Sequence, residues 1–189
     1  MKIKSLKEIK LFLKFFLPII DNTHRHALRY AFRHSLFAEI PAGSKVFVNT
    51  FFDCSDSFIV VLQGVVSGYI FQYPMPRSDV WLGISNSVYF NDSTVYETRG
   101  FNLEALEDSL LLIIPHEELE RGCDSYPVLS RLFSHLLFPN ATRDLNNRAM
   151  LCELDGPVNK LRNFKKIYPS VWKKVPERIY RSYFNQPDL

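Results

Sequence analysis

Phe58-Ile59-Val60-Val61-Leu62-Gln63-Gly64-Val65-Val66 is the stretch on which the fold turns. An unbroken apolar run, rich in β-branched residues, meets a Gln-Gly pair and resumes at once in two valines. That is a strand, a tight reversal and a second strand. Upstream, Leu36-Phe37-Ala38-Glu39-Ile40 and Val46-Phe47-Val48 flank the turn residues Pro41-Ala42-Gly43. Downstream, residues 65–73, 80–84, 101–106 and 110–114 read as further short strands. Seven or more short strands separated by turn signals predict a β-sandwich or barrel.

Outside this block the period is helical. Lys7, Lys10 and Lys14 recur on one face of an N-terminal helix, opposite Phe and Leu, and the helix is expected to end near Pro18. A second helix is expected over about 23–33. Beyond Pro115, residues Val128, Leu129, Leu132, Phe133, Leu136 and Leu137 form a wide apolar stripe. A kink is expected at Pro139, with helix resuming to about residue 154. Gly156-Pro157 breaks the chain before short helices over 158–168 and 177–184. The chain thus divides into N-terminal helices (1–35), a β domain (36–121), a long helical segment (122–154) and a basic segment (155–189).

Of the 189 residues 47% are hydrophobic, enough for a core, which excludes wholesale disorder. The net charge of +3 conceals an asymmetry: residues 1–20 carry +4, residues 21–155 carry −7 and residues 156–189 carry +6. A basic segment on an acidic body points to a polyanion partner, with a solvated helical face as the plain alternative. Cys54, Cys123 and Cys152 are dispersed, form no C-x-x-C pair, and suit buried thiols in a reducing compartment. Lys14 interrupts the N-terminal apolar run and no small-x-small site follows, so no signal peptide is expected. The uncharged window 57–76 contains two prolines and reads as paired strands, not a membrane span. A cytoplasmic protein without membrane contact is the expectation.

Enzymatic chemistry finds no foothold. No His lies between His34 and His116, where the strands are, so a His-x-His metal site on a barrel cannot form. His24 and His26 are two apart and fall on different helical faces. Ser109 and Ser134 sit in no nucleophile elbow, and no Gly-rich phosphate loop is present. Three thiols cannot hold a four-cysteine iron–sulfur cluster. The sequence predicts no enzyme, no metal and no cofactor.

Several strings, taken in order, resemble the bacterial CRP/FNR regulators, the family of the cyclic AMP receptor protein. They are Ile40-Pro41-Ala42-Gly43, the hairpin Val61-Leu62-Gln63-Gly64-Val65-Val66, and Glu104-Ala105-Leu106-Glu107-Asp108-Ser109 before the last strand. Pro127-Val128-Leu129, Tyr168-Pro169 and Val175-Pro176 complete the set, and the likeness runs from about Phe37 to the last residue. It implies an α+β fold: an antiparallel β jelly-roll barrel like a cyclic-nucleotide-binding domain, with flanking N- and C-terminal helices. It also implies a homodimer through Val128, Leu129, Leu132, Phe133 and Leu136, a small anionic ligand in the barrel, and a C-terminal helix-turn-helix.

The departures from the family pattern bear on function. Arg99 falls where the family grips the cyclic phosphate, a fork donor beside a helix N-terminus. Gly100 and Phe101 follow, where two small residues are expected, and Phe101 has the bulk to fill the base and sugar pocket. No Gly-Glu pair precedes them, and Asp92 is the only acid in reach. The candidate ligand residues are therefore Arg99, Gly100 and Asp92. Arg99 is open to three roles: a ligand phosphate, another anion, or structural pairing with Asp92 or Glu97, which carries most weight. At the C-terminus, Arg178-Ile179-Tyr180-Arg181-Ser182-Tyr183-Phe184 resembles the first helix of a helix-turn-helix, and Asn185-Gln186-Pro187 its turn. No recognition helix follows. Lys173, Lys174, Arg178 and Arg181 are candidate phosphate contacts, and DNA binding is expected to be non-specific at most. Two functions result. One is an effector-sensing regulator related to transcription factors, with a degenerate phosphate cassette. The other is an interaction scaffold of the same fold that binds neither nucleotide nor DNA.

Overall fold

Helix formation begins at a capping box. Ser5 Oγ accepts the Glu8 N–H at 3.2 Å and the Glu8 carboxylate accepts the Ser5 N–H, which fixes the start of α1 (Leu6–Phe16). Lys7, Lys10 and Lys14 face solvent while Phe12, Phe15 and Phe16 are buried, as the period predicts. α2 (Arg25–His34) then leads into the strands: β1 (Leu36–Ile40), β2 (Lys45–Phe47), β3 (Ser57–Gln63), β4 (Val65–Gln72), β5 (Met75–Ile84), β6 (Val88–Asn91), β7 (Phe101–Ala105) and β8 (Ser109–Pro115). The computed structural model describes residues 5–20, 24–48, 56–72, 75–92 and 100–184. Gly64, at φ +94°, makes the β3–β4 reversal that opened the reading of the sequence.

The strands form two four-stranded antiparallel sheets, ordered β1-β8-β3-β6 and β2-β7-β4-β5. This corrects the jelly-roll barrel expected from the resemblance. Among the described residues no ladder joins one sheet to the other, and each sheet keeps two edges. Closure would have to occur at the β1/β2 and β5/β6 seams. Each seam includes a short strand, β2 with three residues and β6 with four, which leaves little ladder to carry across. The central strands also lack the simple inside–outside alternation of a barrel with a wet exterior. Every residue of β3 but Gln63 is buried, and every residue of β8 but Pro115. Both faces of that sheet need cover, and an open sandwich with helices outside supplies it.

Four layers result. α1, α2, α3 (His116–Ser125) and α4 (Val128–Leu132) cover the first sheet, where Phe16, Val60, Leu112 and Leu129 meet. Ile59, Val61, Val66, Leu103, Leu111 and Ile113 pack between the sheets. The chain continues from α4 through a π turn (Phe133–Leu137) into α5 (Phe138–Glu153). Phe138 N–H donates to Phe133 O, and the wider turn absorbs the hydrogen bond that Pro139 cannot make. α6 (Pro157–Ile167) and α7 (Glu177–Tyr183) then close over the outer face of the second sheet, with Phe164, Ile179 and Tyr183 against Val65 and Leu82. Among the described residues no helix is long and apolar enough to cross a membrane.

One irregularity positions everything that follows. In the β4–β5 ladder Gly68 pairs with Trp81, and the next residue, Tyr69, pairs with Asp79. Val80 is surplus, a β-bulge that shifts the side-chain phase. Trp81 therefore points between the sheets, while Asp79, two residues earlier, turns its carboxylate to Ser67 and Arg77 on the outer face, where its N–H meets Ser182 of α7.

Candidate functional site

The expected ligand cassette straddles β6 and β7. Asp92 follows β6 and Gly100 precedes β7, while Arg99 and Glu97 lie outside the described residues. Gly100 adopts φ +57°, a left-handed conformation that suits glycine, and its carbonyl accepts a hydrogen bond from Asn102 Nδ2 at 3.0 Å. Phe101 is fully buried and stacks on Tyr89, with ring centroids 4.3 Å apart and planes 10° from parallel. Trp81 lies 5.2 Å from the same Tyr89 ring. Gly68 makes room for this stack, since a Cβ there would come within 2.5 Å of Phe101 Cζ. Three aromatic rings thus occupy the space between the sheets beside the cassette. Trp81 Nε1 is buried among them and has no hydrogen-bond partner among the described residues.

A cavity lies at the edge of the sandwich. A groove of about 510 Å³ runs between β6 and α5, lined by Phe58, Phe90, Asp92, His116, Phe138 and Leu145 among others. That volume is in the usual range for small-molecule sites. Its walls are aromatic: Phe58 lies 4.8 Å from Phe90 and 5.7 Å from Phe133, and Phe90 lies 5.6 Å from His116. The π turn sets Phe133 and Phe138 6.0 Å apart on the helical side. Asp92, His116 and Thr142 are polar residues of the lining, to which Tyr89 also belongs. Of the two described cassette residues, Asp92 lines the groove and Gly100 does not.

The expected dimer stripe divides. Val128, Leu129 and Leu132 are buried in the chain's own core against the first sheet. Phe133 and Leu136 are partly exposed, and α5 adds Phe138, Leu145 and Met150 to the apolar surface. Phe138 and Leu145 are seven apart and share one helical face.

At the C-terminal segment, three of the four expected phosphate contacts hold carboxylates instead. Lys174 Nζ lies 2.6 Å from Glu107 Oε1, and Arg181 Nη2 lies 2.6 Å from Glu177 Oε1. Arg178 clasps Glu104 with both terminal nitrogens. Lys173 is exposed near the Trp172 ring, which Lys165 Nζ also overlies at 4.1 Å.

The Arg178–Glu104 pair belongs to a larger network that no sequence motif announced. Arg77 bridges Glu104 and Asp79 and stacks 3.8 Å over the Tyr69 ring. Ser182 of α7 accepts the Asp79 N–H at 2.8 Å and donates to the Arg77 carbonyl at 3.0 Å. Ser67 donates to Asp79 from β4. Burial alone would push the Glu104 carboxyl up, but the hydrogen bonds and charges of Arg178 and Arg77 hold it below its ordinary value. Burial pulls the Arg77 guanidinium the other way, and its bonds to Asp79 and Glu104 prevail and raise it. On the page of the sequence these are charged residues in strands, which ordinarily face water. The signal that they are covered is the apolar face of α7, Ile179 and Tyr183, which has to be buried against something.

No protein-family model matches the chain, and no curated protein matches its sequence. Solved structures resemble its fold. A protein assigned to the CRP/FNR family of transcriptional regulators, from Eubacterium rectale, gives a TM-score of 0.58 at 11% identity, over 91% of this chain and 79% of that one. FixK2 from Bradyrhizobium japonicum gives 0.56 at 11% identity, over 80% and 78%. A CooA variant from Carboxydothermus hydrogenoformans gives 0.52 at 12% identity, over 87% and 99%. At these identities the likeness is one of fold.

Proposed function

We propose that this chain is a non-catalytic regulatory module of the CRP/FNR type, a homodimer that responds to a small effector other than a cyclic nucleotide. The observation that carries the reading is the groove between β6 and α5. It joins Asp92, from the expected ligand cassette, to Phe138 and Leu145, on the helix whose exposed face would meet a second copy. A ligand seated there touches the sheet edge and the dimer helix together, which is the arrangement a sensor needs. The divisions at residues 35, 121 and 154 then separate N-terminal cover, effector domain, dimer helix and basic segment. Arg99, Gly100 and Asp92 stay the candidate ligand residues, with pairing to Asp92 or Glu97 the weightier role for Arg99.

The occupant argued by the lining is flat and apolar, with one polar group to meet His116 or Thr142. Cyclic AMP and cyclic GMP are poor candidates, because Phe101, Tyr89 and Trp81 fill the space beside the cassette. Calorimetry with either nucleotide should give no dissociation constant tighter than about 10 μM, on the order of −7 kcal/mol. The fluorescent aromatic anion 8-anilinonaphthalene-1-sulfonate should bind the native protein, and Ala141→Trp, which fills the groove, should abolish that signal. Tight cyclic-nucleotide binding, or a signal indifferent to Ala141→Trp, would overturn the effector reading.

A second reading, an interaction scaffold without ligand or DNA, is favoured by α7. Its apolar face and Arg178 are turned to the second sheet, so any DNA contact by the basic segment would be with phosphates and independent of sequence.

A further inference from the structure

We infer that α7 is held shut by an electrostatic latch, and that the closed latch withholds Arg178 from phosphate. The inference rests on the reading that the basic segment meets a polyanion. Two attachments fix α7 to the sheet, and they differ in kind. The apolar one buries Ile179 and Tyr183 in a cluster with Val65, Leu82 and Phe164 and holds that face of the helix to the sheet. The polar one pins it at both ends of one helical turn: Arg178 on Glu104, and Ser182 on the β5 backbone at Asp79 and Arg77. Glu104 and Asp79 are nearly inaccessible, whereas the Arg178 side chain is 52% exposed on the solvent side. The pair is thus a buried anion reaching out to a surface cation.

That asymmetry sets up a competition. A phosphate approaching from solvent can reach Arg178, but the two N–H groups that clasp Glu104 come free for it only when the pair opens. Glu104 is already shared with Arg77, so it does not become an unpaired buried charge when Arg178 leaves. The latch can therefore open without breaking the sheet beneath it. The neighbouring cations differ: Lys173, Lys165 and Arg162 have no carboxylate within ion-pair distance among the described residues. They supply a first, weak polyanion contact, and Arg178 joins only when the latch opens.

The test uses the full chain and two variants that break the same pair from opposite sides. Glu104→Gln removes the competing anion and leaves Arg178 free. Arg178→Gln, at an accessible position that leaves the sheet untouched, opens the latch but removes the cation. Hydrogen exchange of the α7 amides should accelerate at least about tenfold in both. Binding of a random-sequence DNA duplex at low salt should strengthen about three- to tenfold in Glu104→Gln alone. If neither variant accelerates α7 exchange, there is no latch and the inference falls. If both accelerate it and duplex affinity does not rise in Glu104→Gln, the latch is only an attachment; the withholding of Arg178 and the polyanion reading then fall together. Should Glu104→Gln not fold, Arg178→Gln still decides the latch by exchange, and the Arg178→Gln chain must bind duplex no better than the wild type.

Discussion

Gly68 shows how one missing atom can decide what a fold holds. Without a Cβ, the second sheet lets Phe101 lie flat against it and reach Tyr89. Gly68→Ala should cost about 1–3 kcal/mol of stability, the range for overpacking a core. The measurement is a urea midpoint. Combined with Phe101→Leu, which withdraws the ring, the double variant should lose less than the two singles together. The bulk of Phe101 was legible in the sequence, and so was its conflict with a nucleotide. The stack with Tyr89 and Trp81 was not, because the two partners sit on different strands and their meeting depends on register. Arg178 was legible as a basic residue near the C-terminus. Its partner Glu104 is 74 residues away, and nothing local to either residue marks the pair.

At the scale of elements, the strands were read well because β3 and β8 are continuous apolar runs and Gly64 breaks the chain between β3 and β4. β6 was missed as a strand, since Val88-Tyr89-Phe90-Asn91 has neither length nor clean alternation. Closure into a barrel was misjudged because it depends on strand pairing across seams, which periodicity cannot report. The contact of α7 with β5 and β7 makes a prediction of its own. Glu104 has a folded value below its ordinary one, so the stabilisation it brings is present at neutral pH and is lost as pH falls through that lowered value. Burial raises it, and Arg178 and Arg77, the cations facing it from α7 and β5, overcome burial and set the direction, with Asp79 and Tyr69 beyond Arg77. At pH 7 the wild type should exceed Glu104→Gln by about 2 kcal/mol, and the gap should narrow as acid titrates the Glu104 carboxylate. Chemical unfolding of both chains across that range is the check, and a gap that widens in acid would contradict the assignment.

For the whole molecule, the proposed dimer is the feature with the largest consequence. Its face is set by Phe138 and Leu145, since Val128, Leu129 and Leu132 are already spent on the chain's own core. Sedimentation should give twice the 22.1 kDa chain mass for the wild type and a single chain mass for the double variant Phe138→Ser, Leu145→Ser. Because both positions are exposed, the variant should keep its fold, and an unchanged dimer would move the interface elsewhere. The β5 bulge matters on this scale too. With Val80 in place, one strand looks inward at Trp81 and outward at Asp79, and so serves the core between the sheets and the C-terminal cover at once. Parity along that strand is therefore a shared reference for two halves of the protein. A substitution at Val80 alters one contact, whereas an insertion or deletion of a single residue there would set the two halves out of step, so this position tolerates changes of letter far better than changes of count.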